Sequence, residues 1–238
     1  MIPQWQQGII KKIEQVTHNT RRFIIELPET PVFDFKPGQF VTLDLPIHEH
    51  RNKRWRSYSI ASMPNGGNVI ELLIVLLQGG AGSEYLFNEM KEGSALTLRG
   101  PSGVFTLPAV LDKPFFMICT GTGVAPFRSM LHYIRDHNIS HQGIHLIFGT
   151  RTKEDLLYHQ ELKELEQQLH GFHYHVALSR EEHEGYKGYV HAKYEALCKE
   201  HPSAIFMLCG WRDMVDEARD RIEQMGYDRK EIHLELYG

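Results

Sequence analysis

Pro114-Phe115-Phe116-Met117-Ile118-Cys119-Thr120-Gly121-Thr122-Gly123-Val124-Ala125-Pro126 is the stretch that decides the fold. Its first six residues form a nearly continuous apolar run of strand length. A strand without polar alternation is buried on both faces, which is the signature of a parallel sheet. A glycine turn follows, then a helix pattern to about His137. Here the turn reads G-x-G-x-x-P. Its glycines let backbone approach a pyrophosphate, the helix N-terminus favours that anion, and Pro126 suits a first helical turn. A glycine turn between strand and helix also occurs for structural reasons alone, so the rest of the chain must decide its meaning.

Downstream the same grammar repeats. Ile144–Phe148, Phe172–Leu178, Ala204–Leu208 and Ile232–Leu236 read as short strands. Helix patterns lie between them at Lys153–Leu169, His191–Lys199 and Arg212–Met225. Thr152 with Asp155 resembles a capping box at the start of the first of these. Strands alternating with helices predict a doubly wound parallel sheet covered on both faces.

Upstream the grammar is different. Gly8–Val16, Arg21–Leu27, Gln39–Leu45, Arg54–Ser62 and Val69–Leu77 are strand-like, separated by turns such as Lys36-Pro37-Gly38 and Pro64-Asn65-Gly66-Gly67. One helix pattern, Ser83–Lys91, and a closing strand, Ala95–Arg99, complete a small antiparallel β-barrel. The boundary is expected near Val110–Pro114, giving domains 1–110 and 111–238.

The 238 residues are 42% hydrophobic and 24% charged, ordinary for a globular protein. The formal net charge of −4 is uneven: residues 1–110 carry 11 basic and 10 acidic side chains, residues 111–238 carry 15 and 20. No extended basic surface is implied, which argues against nucleic acid as a partner. Cys119, Cys198 and Cys209 are odd in number and widely spaced, which suggests neither disulfides nor zinc. They are also too few for the common iron–sulfur clusters, so an iron–sulfur partner is expected to be a separate protein. His48-Glu49-His50 lies in a polar basic loop without a third ligand nearby, so no metal is expected. Met1–Trp5 lacks a charged-then-apolar leader, and Val69–Leu77 is too short to span a bilayer. The expected location is the cytoplasm.

Three further segments carry chemistry. In Arg56-Ser57-Tyr58-Ser59-Ile60-Ala61-Ser62, Arg56 suits a phosphate, Tyr58 offers a ring to an isoalloxazine, and the Ser59 hydroxyl suits the reactive end of that ring. By itself the segment is equally a strand that happens to carry Arg and Tyr. Gly79-Gly80-Ala81-Gly82-Ser83 precedes the helix pattern of the barrel, where the amides around Gly80 and Gly82, with Ser83, suit a second pyrophosphate. Gly100-Pro101-Ser102-Gly103 reads as a tight turn, either plain or in contact with that site.

Taken together and in this order, Arg56–Ser59, Gly79–Ser83, Gly100–Gly103, Thr120–Pro126 and Cys209-Gly210 resemble the ferredoxin–NADP reductase family over essentially the whole chain. The resemblance implies a barrel that holds FAD and a second domain that holds a nicotinamide dinucleotide. Arg56 and Ser83 then become flavin phosphate contacts, and Tyr58 and Ser59 become isoalloxazine contacts. Thr120, Gly121 and Gly123 become the dinucleotide turn. Cys209 becomes the nicotinamide-side thiol, with no nucleophilic role. His233-Leu234-Glu235-Leu236-Tyr237 is similar to the family's ending, in which Glu235 would aid proton or hydride handling and Tyr237 would cover the flavin. Ser179-Arg180 and Lys187-Gly188-Tyr189 resemble the 2′-phosphate site of NADPH-using members, and two cations with two hydroxyls suit a dianion. Glu181, Glu182 and Glu184 make that loop less than uniformly basic.

Two departures stand out. Gly238 follows Tyr237, which would move the terminal carboxylate, and Leu76-Leu77 stand where many relatives carry a basic residue. Some relatives bind FMN through similar barrel motifs. The expected activity is hydride transfer between NADP(H) and FAD, with single electrons exchanged with ferredoxin, flavodoxin or another iron–sulfur carrier. The alternatives are the reductase component of an oxygenase, a free-flavin reductase, and a nucleotide-sensing module without turnover.

Overall fold

In the computed structural model, which describes residues 3–184, 186–200 and 203–237, the first element is β1 (Trp5–Thr17). It starts three residues before the expected strand, because Trp5, Gln6 and Gln7 pair with Arg99, Leu98 and Thr97. The other barrel strands are β2 (Thr20–Glu26), β3 (Phe40–Asp44), β4 (Trp55–Ser59), β5 (Val69–Val75) and β6 (Ala95–Ser102). They form an antiparallel sheet in the order β4-β3-β6-β1-β2-β5. Closure comes from the Ile60–Leu72 bridge, beside which the Ala61 amide donates to the Glu71 carbonyl at 2.8 Å.

Alternation fills the barrel. Ile10, Phe23, Ile25, Val41, Leu43, Ile70, Leu72 and Leu98 point inward and are buried, with Leu86 of helix α1 (Ala81–Asn88) packed among them. Each such side chain contributes roughly 1.5–3 kcal/mol by leaving water. Gly100–Gly103 is not the expected tight turn. β6 runs on to Ser102, which pairs with Phe40, and only Gly103 (φ +105°) turns the chain. Position 100 is glycine because a Cβ there would sit 2.8 Å from Val41.

The second sheet is parallel, built from β7 (Phe115–Thr120), β8 (Ile144–Thr150), β9 (Phe172–Leu178), β10 (Ile205–Trp211) and β11 (Ile232–Tyr237). Its order is β11-β10-β7-β8-β9, so the chain winds outward from β7 in one direction and then from β10 in the other. Helices α4 (Val190–Leu197) and α5 (Arg212–Gln224) bury Val190, Tyr194, Val215, Ala218 and Ile222 against one face. On the other face Phe115, Met117, Leu146 and Phe148 are equally buried. The remaining helices are α2 (Val124–Asp136) and α3 (His159–Gln168).

The expected helix Lys153–Leu169 is broken. Thr152 and Asp155 do form a capping box, but it closes only a 3₁₀ turn at Lys153–Asp155. Leu156 is extended and Tyr158 is left-handed (φ +55°) before α3 begins. Leu157 is buried between the two pieces.

Contacts divide the chain into two compact units. One runs to Leu107 and includes Arg128–Tyr133; the other holds Pro108–Phe127 and the chain from Ile134. Within the first, Arg128 donates to the Ala61 carbonyl at 2.8 Å and meets Glu71 at 3.4 Å, while the Ser129 hydroxyl donates to the Ser62 carbonyl at 2.7 Å.

A row of rings crosses the parallel sheet at its amino end. Tyr227, Phe206, Phe116, His145 and His173 follow one another with centroids 4.7, 5.2, 4.9 and 5.0 Å apart. His175 adds a ring nitrogen 3.1 Å from His145. Burial, then the neighbouring imidazoles, push His145 down to about 4, and burial likewise lowers His175. Lys193 and Glu166 face His175 with opposing effects. A folded-state value below the unfolded one means that the unfolded chain binds the proton first. Stability is therefore full above about pH 6.5 and falls as the pH drops toward about 4, with His145 the largest single contributor among these imidazoles. Urea unfolding measured between about pH 7 and 4 should show this loss, and His145→Phe should reduce its slope. An unchanged slope in the variant would assign the acid sensitivity elsewhere.

Candidate functional site

In the barrel, β4 and the start of α1 bring the expected flavin residues together. The Arg56 side chain lies across Gly82: a Cβ on that glycine would meet Arg56 Cγ at 2.9 Å and Nε at 3.1 Å. One guanidinium nitrogen of Arg56 donates to the carbonyls of Lys53 and Trp55 at 3.1 and 2.8 Å, which anchors the charged head. Helix α1 begins at Ala81 with Gly80 as its N-cap, so its first amides open beside that guanidinium. A guanidinium and a helix N-terminus without an intervening side chain fit a pyrophosphate. Ser83 is employed differently from the expectation that its hydroxyl faces phosphate. It accepts from the Leu77 amide at 3.0 Å and lies 3.2 and 3.0 Å from the carbonyls of Leu77 and Gly80. It therefore shapes the loop, while Glu84 accepts from the Gly79 amide at 2.7 Å. Leu76 and Leu77 are exposed beside this turn.

Tyr58 packs against the barrel core, and loss of water pushes its phenol up to about 12, partly offset by Arg56. It is a neutral donor at any working pH. Ser59 is 4% exposed at the strand end.

In the parallel sheet, the winding direction reverses between β7 and β10. Ligands of doubly wound folds bind at such a point, outside the carboxyl ends of the strands. Thr120, Gly121 and Gly123 follow β7, and Cys209 and Gly210 end β10. The two turns touch through bare backbone. A Cβ on Gly123 would lie 2.7 Å from the Cys209 carbonyl carbon, and one on Gly210 3.1 Å from the Thr120 amide nitrogen. The Trp211 amide donates to the Thr120 hydroxyl at 3.4 Å. Gly121 has φ +52° and open space around it, leaving room for a ligand.

Cys209 is fully buried, and burial raises its thiol well above the ordinary range, with Glu235 reinforcing the rise. The Tyr237 side chain beside the same thiol works the other way. Cys209 is thus a neutral thiol without nucleophilic character. Its register partner on β11 is Glu235, and Tyr237 pairs with Trp211. Gly238 lies outside the described residues.

The loop after β9 gathers the third group. The Gly188 amide donates to the Leu178 carbonyl at 2.8 Å, setting Ser179 and Arg180 beside Lys187 and Tyr189. The Arg180 amide donates to the Arg151 carbonyl at 3.0 Å, which adds a cation that sequence reasoning missed. Its signal was available, since Gly149-Thr150-Arg151 ends a parallel strand as Ser179-Arg180 does. Trp211, 55% exposed at the end of β10, was missed in the same way. Two of the acids in this loop have other partners. Glu181 accepts from the Lys153 amide, and Glu184 lies 3.8 Å from Lys163 and 3.7 Å from His183. Arg151, Arg180 and Lys187 have no carboxylate partner among the described residues. No group of three metal-ligating side chains occurs among the described residues, and His48 and His50 simply stack at 5.3 Å.

Comparison with known proteins agrees with this division. Residues 7–107 match the oxidoreductase FAD-binding domain family and residues 117–220 the oxidoreductase NAD-binding domain family. The chain is 35% identical over 227 residues to ferredoxin--NADP reductase B of Sorangium cellulosum, covering 91% of each protein. It is 30% identical over 235 residues to the glycine betaine monooxygenase reductase subunit of Pseudomonas aeruginosa, covering 95% of this chain and 63% of that protein. A ferredoxin NADP+ reductase from Neisseria gonorrhoeae, solved with FAD and NADP, superimposes with a TM-score of 0.81 at 27% identity over 98% of both chains. A cytochrome P450 reductase from Amycolatopsis shares the fold, with a TM-score of 0.88 at 24% identity over 98% of this chain and 70% of that one.

The two glycines of the dinucleotide turn make separable predictions. Gly123→Ala forces a methyl into the Cys209 backbone and should cost roughly 2–3 kcal/mol of stability in urea unfolding, the upper part of the overpacking range. Gly121→Ala meets nothing but strains a left-handed residue, costing about 1 kcal/mol. Equal costs would contradict the close approach.

Proposed function

The chain belongs to the ferredoxin–NADP reductase family of FAD- and nicotinamide-binding oxidoreductases, and from that premise we propose that it uses NADPH to reduce a ferredoxin or flavodoxin. Bound FAD would supply hydride acceptance and single-electron release, while the chain's own residues bind, orient and exclude water.

In this reading Arg56 and the first amides of α1 hold the flavin pyrophosphate, while Tyr58 and Ser59 contact the ring system. The amides of Thr120–Gly123 and α2 hold the pyrophosphate of the nicotinamide dinucleotide. Cys209 would supply a neutral, desolvated wall for the nicotinamide, with Glu235 beside it in register to hold a proton and Tyr237 two residues further along β11 as the aromatic ring of the site. The choice of NADPH rests on one observation. Ser179, Arg180, Lys187 and Tyr189 are gathered by the Gly188–Leu178 hydrogen bond, with Arg151 alongside and Glu181 turned to the Lys153 amide.

Carrier docking is supported by Arg51, Lys53 and Arg54 immediately before the flavin strand, where positive charge steers an acidic protein. Asp44 offsets part of that charge, lying 2.8 Å from Arg54 and 3.8 Å from Arg51. A second reading, the reductase of an oxygenase, is supported by likeness to the glycine betaine monooxygenase reductase subunit, of which this chain spans just under two-thirds. It differs from the first only in the carrier.

Steady-state reduction of a ferredoxin should be more efficient with NADPH than with NADH and should slow as salt rises. Arg180→Ala should raise the KM for NADPH at least about tenfold, the loss of a charge-assisted contact, and leave NADH unaffected. Equal wild-type efficiency with NADH would overturn the assignment of this loop.

A further inference from the structure

Lys187 and Tyr189 are exposed, Tyr189 by 72%, and neither side chain has a hydrogen-bond or ion-pair partner among the described residues. A long exposed side chain recognises a phosphate only as well as its backbone is fixed, since each rotor left free costs entropy on binding. Four hydrogen bonds fix this backbone. His183 and Tyr186 exchange amide-to-carbonyl bonds at 2.8 and 3.0 Å. Gly188 is tied to Leu178, and the Tyr186 hydroxyl donates to the Tyr189 carbonyl at 2.6 Å.

The last bond is made by a side chain the dinucleotide need not touch. The Tyr186 ring packs against the sheet core, and the Lys193 ammonium rests on its face 4.4 Å from the centroid. Burial, then Glu195, raise its phenol, so it remains a donor at working pH. Its hydroxyl fills the space over Gly188, where a Cβ would lie 2.5 Å from the oxygen and 2.9 Å from the ring carbon that carries it. Tyr186 is therefore wedged between a core that holds its ring and a loop that wraps its hydroxyl.

We propose that Tyr186 is a positioning residue for 2′-phosphate recognition, acting through the Tyr189 carbonyl to set Lys187 and Tyr189 against the phosphorylated ribose. The proposal rests on the reading that Ser179, Arg180, Lys187 and Tyr189 recognise that phosphate. It separates two roles within one segment: Arg180 and Lys187 supply charge, and Tyr186 supplies the geometry in which the charge is used.

Tyr186→Phe removes the hydroxyl and keeps the ring, so folding is preserved. In the FAD-loaded full-length protein, the KM for NADPH and the dissociation constant for 2′,5′-ADP should each rise about fivefold, the usual worth of one neutral hydrogen bond. The kcat with either dinucleotide and the KM for NADH should stay within twofold. Gly188→Ala displaces the same hydroxyl, so its effect and that of Tyr186→Phe should be less than additive in the double variant. Unchanged 2′,5′-ADP affinity in Tyr186→Phe, or equal rises in KM for NADPH and NADH, would overturn the positioning role. A wild-type protein that binds 2′,5′-ADP no better than 5′-AMP would instead overturn the phosphate reading, and the proposal with it.

Discussion

Both half-sites are built where a Cβ cannot be. At Gly82 its absence lets Arg56 lie across the start of α1. At Gly123 it lets the turn after β7 rest on the backbone of Cys209 and Gly210. Each arrangement leaves amides unshielded, and an amide at a helix start binds a phosphate best when nothing stands between them. The sheet orders follow the same constraint. The winding reverses between β7 and β10, which is where the two glycine turns meet.

This construction divides the labour by chemistry. In the proposed reading, pyrophosphates are left to backbone and one arginine, while discrimination is left to side chains on loops that can vary without disturbing the sheets. Two of the proposed contacts are kept uncharged: burial raises the Tyr58 phenol to about 12 and holds the Cys209 thiol well above its ordinary range. Neutral groups leave the redox chemistry to the cofactors and create no competing nucleophile. The charge that does exist lies on exposed loops, at Arg151, Arg180 and Lys187 and at Arg51, Lys53 and Arg54.

Much of this was legible before any coordinate. Apolar runs such as Phe115–Cys119 and alternating runs such as Arg21–Leu27 differ because one strand is covered on both faces and the other lines a barrel. What could not be read depends on distant partners. Gly100 is glycine because of Val41, and the Ser83 hydroxyl is occupied by the loop that precedes it. The helix break at Leu156–Tyr158 requires a tyrosine in a left-handed conformation, which no propensity favours. Arg151 was passed over because it precedes a helix-like segment, although its place at a strand end gives it the same outlook as Arg180. Tyr186 is invisible to motif reading, since its hydroxyl serves a backbone carbonyl rather than a ligand.

The central claim is that one chain holds FAD in the barrel and reduces it with NADPH bound to the parallel-sheet unit. The most direct measurement is anaerobic rapid mixing of the purified, FAD-loaded protein with NADPH while the flavin absorbance is followed. The account predicts that the flavin is bleached by about one equivalent of NADPH, and more slowly by NADH at equal concentration. A protein that fails to retain FAD, or whose flavin stays oxidised under excess NADPH, would contradict it.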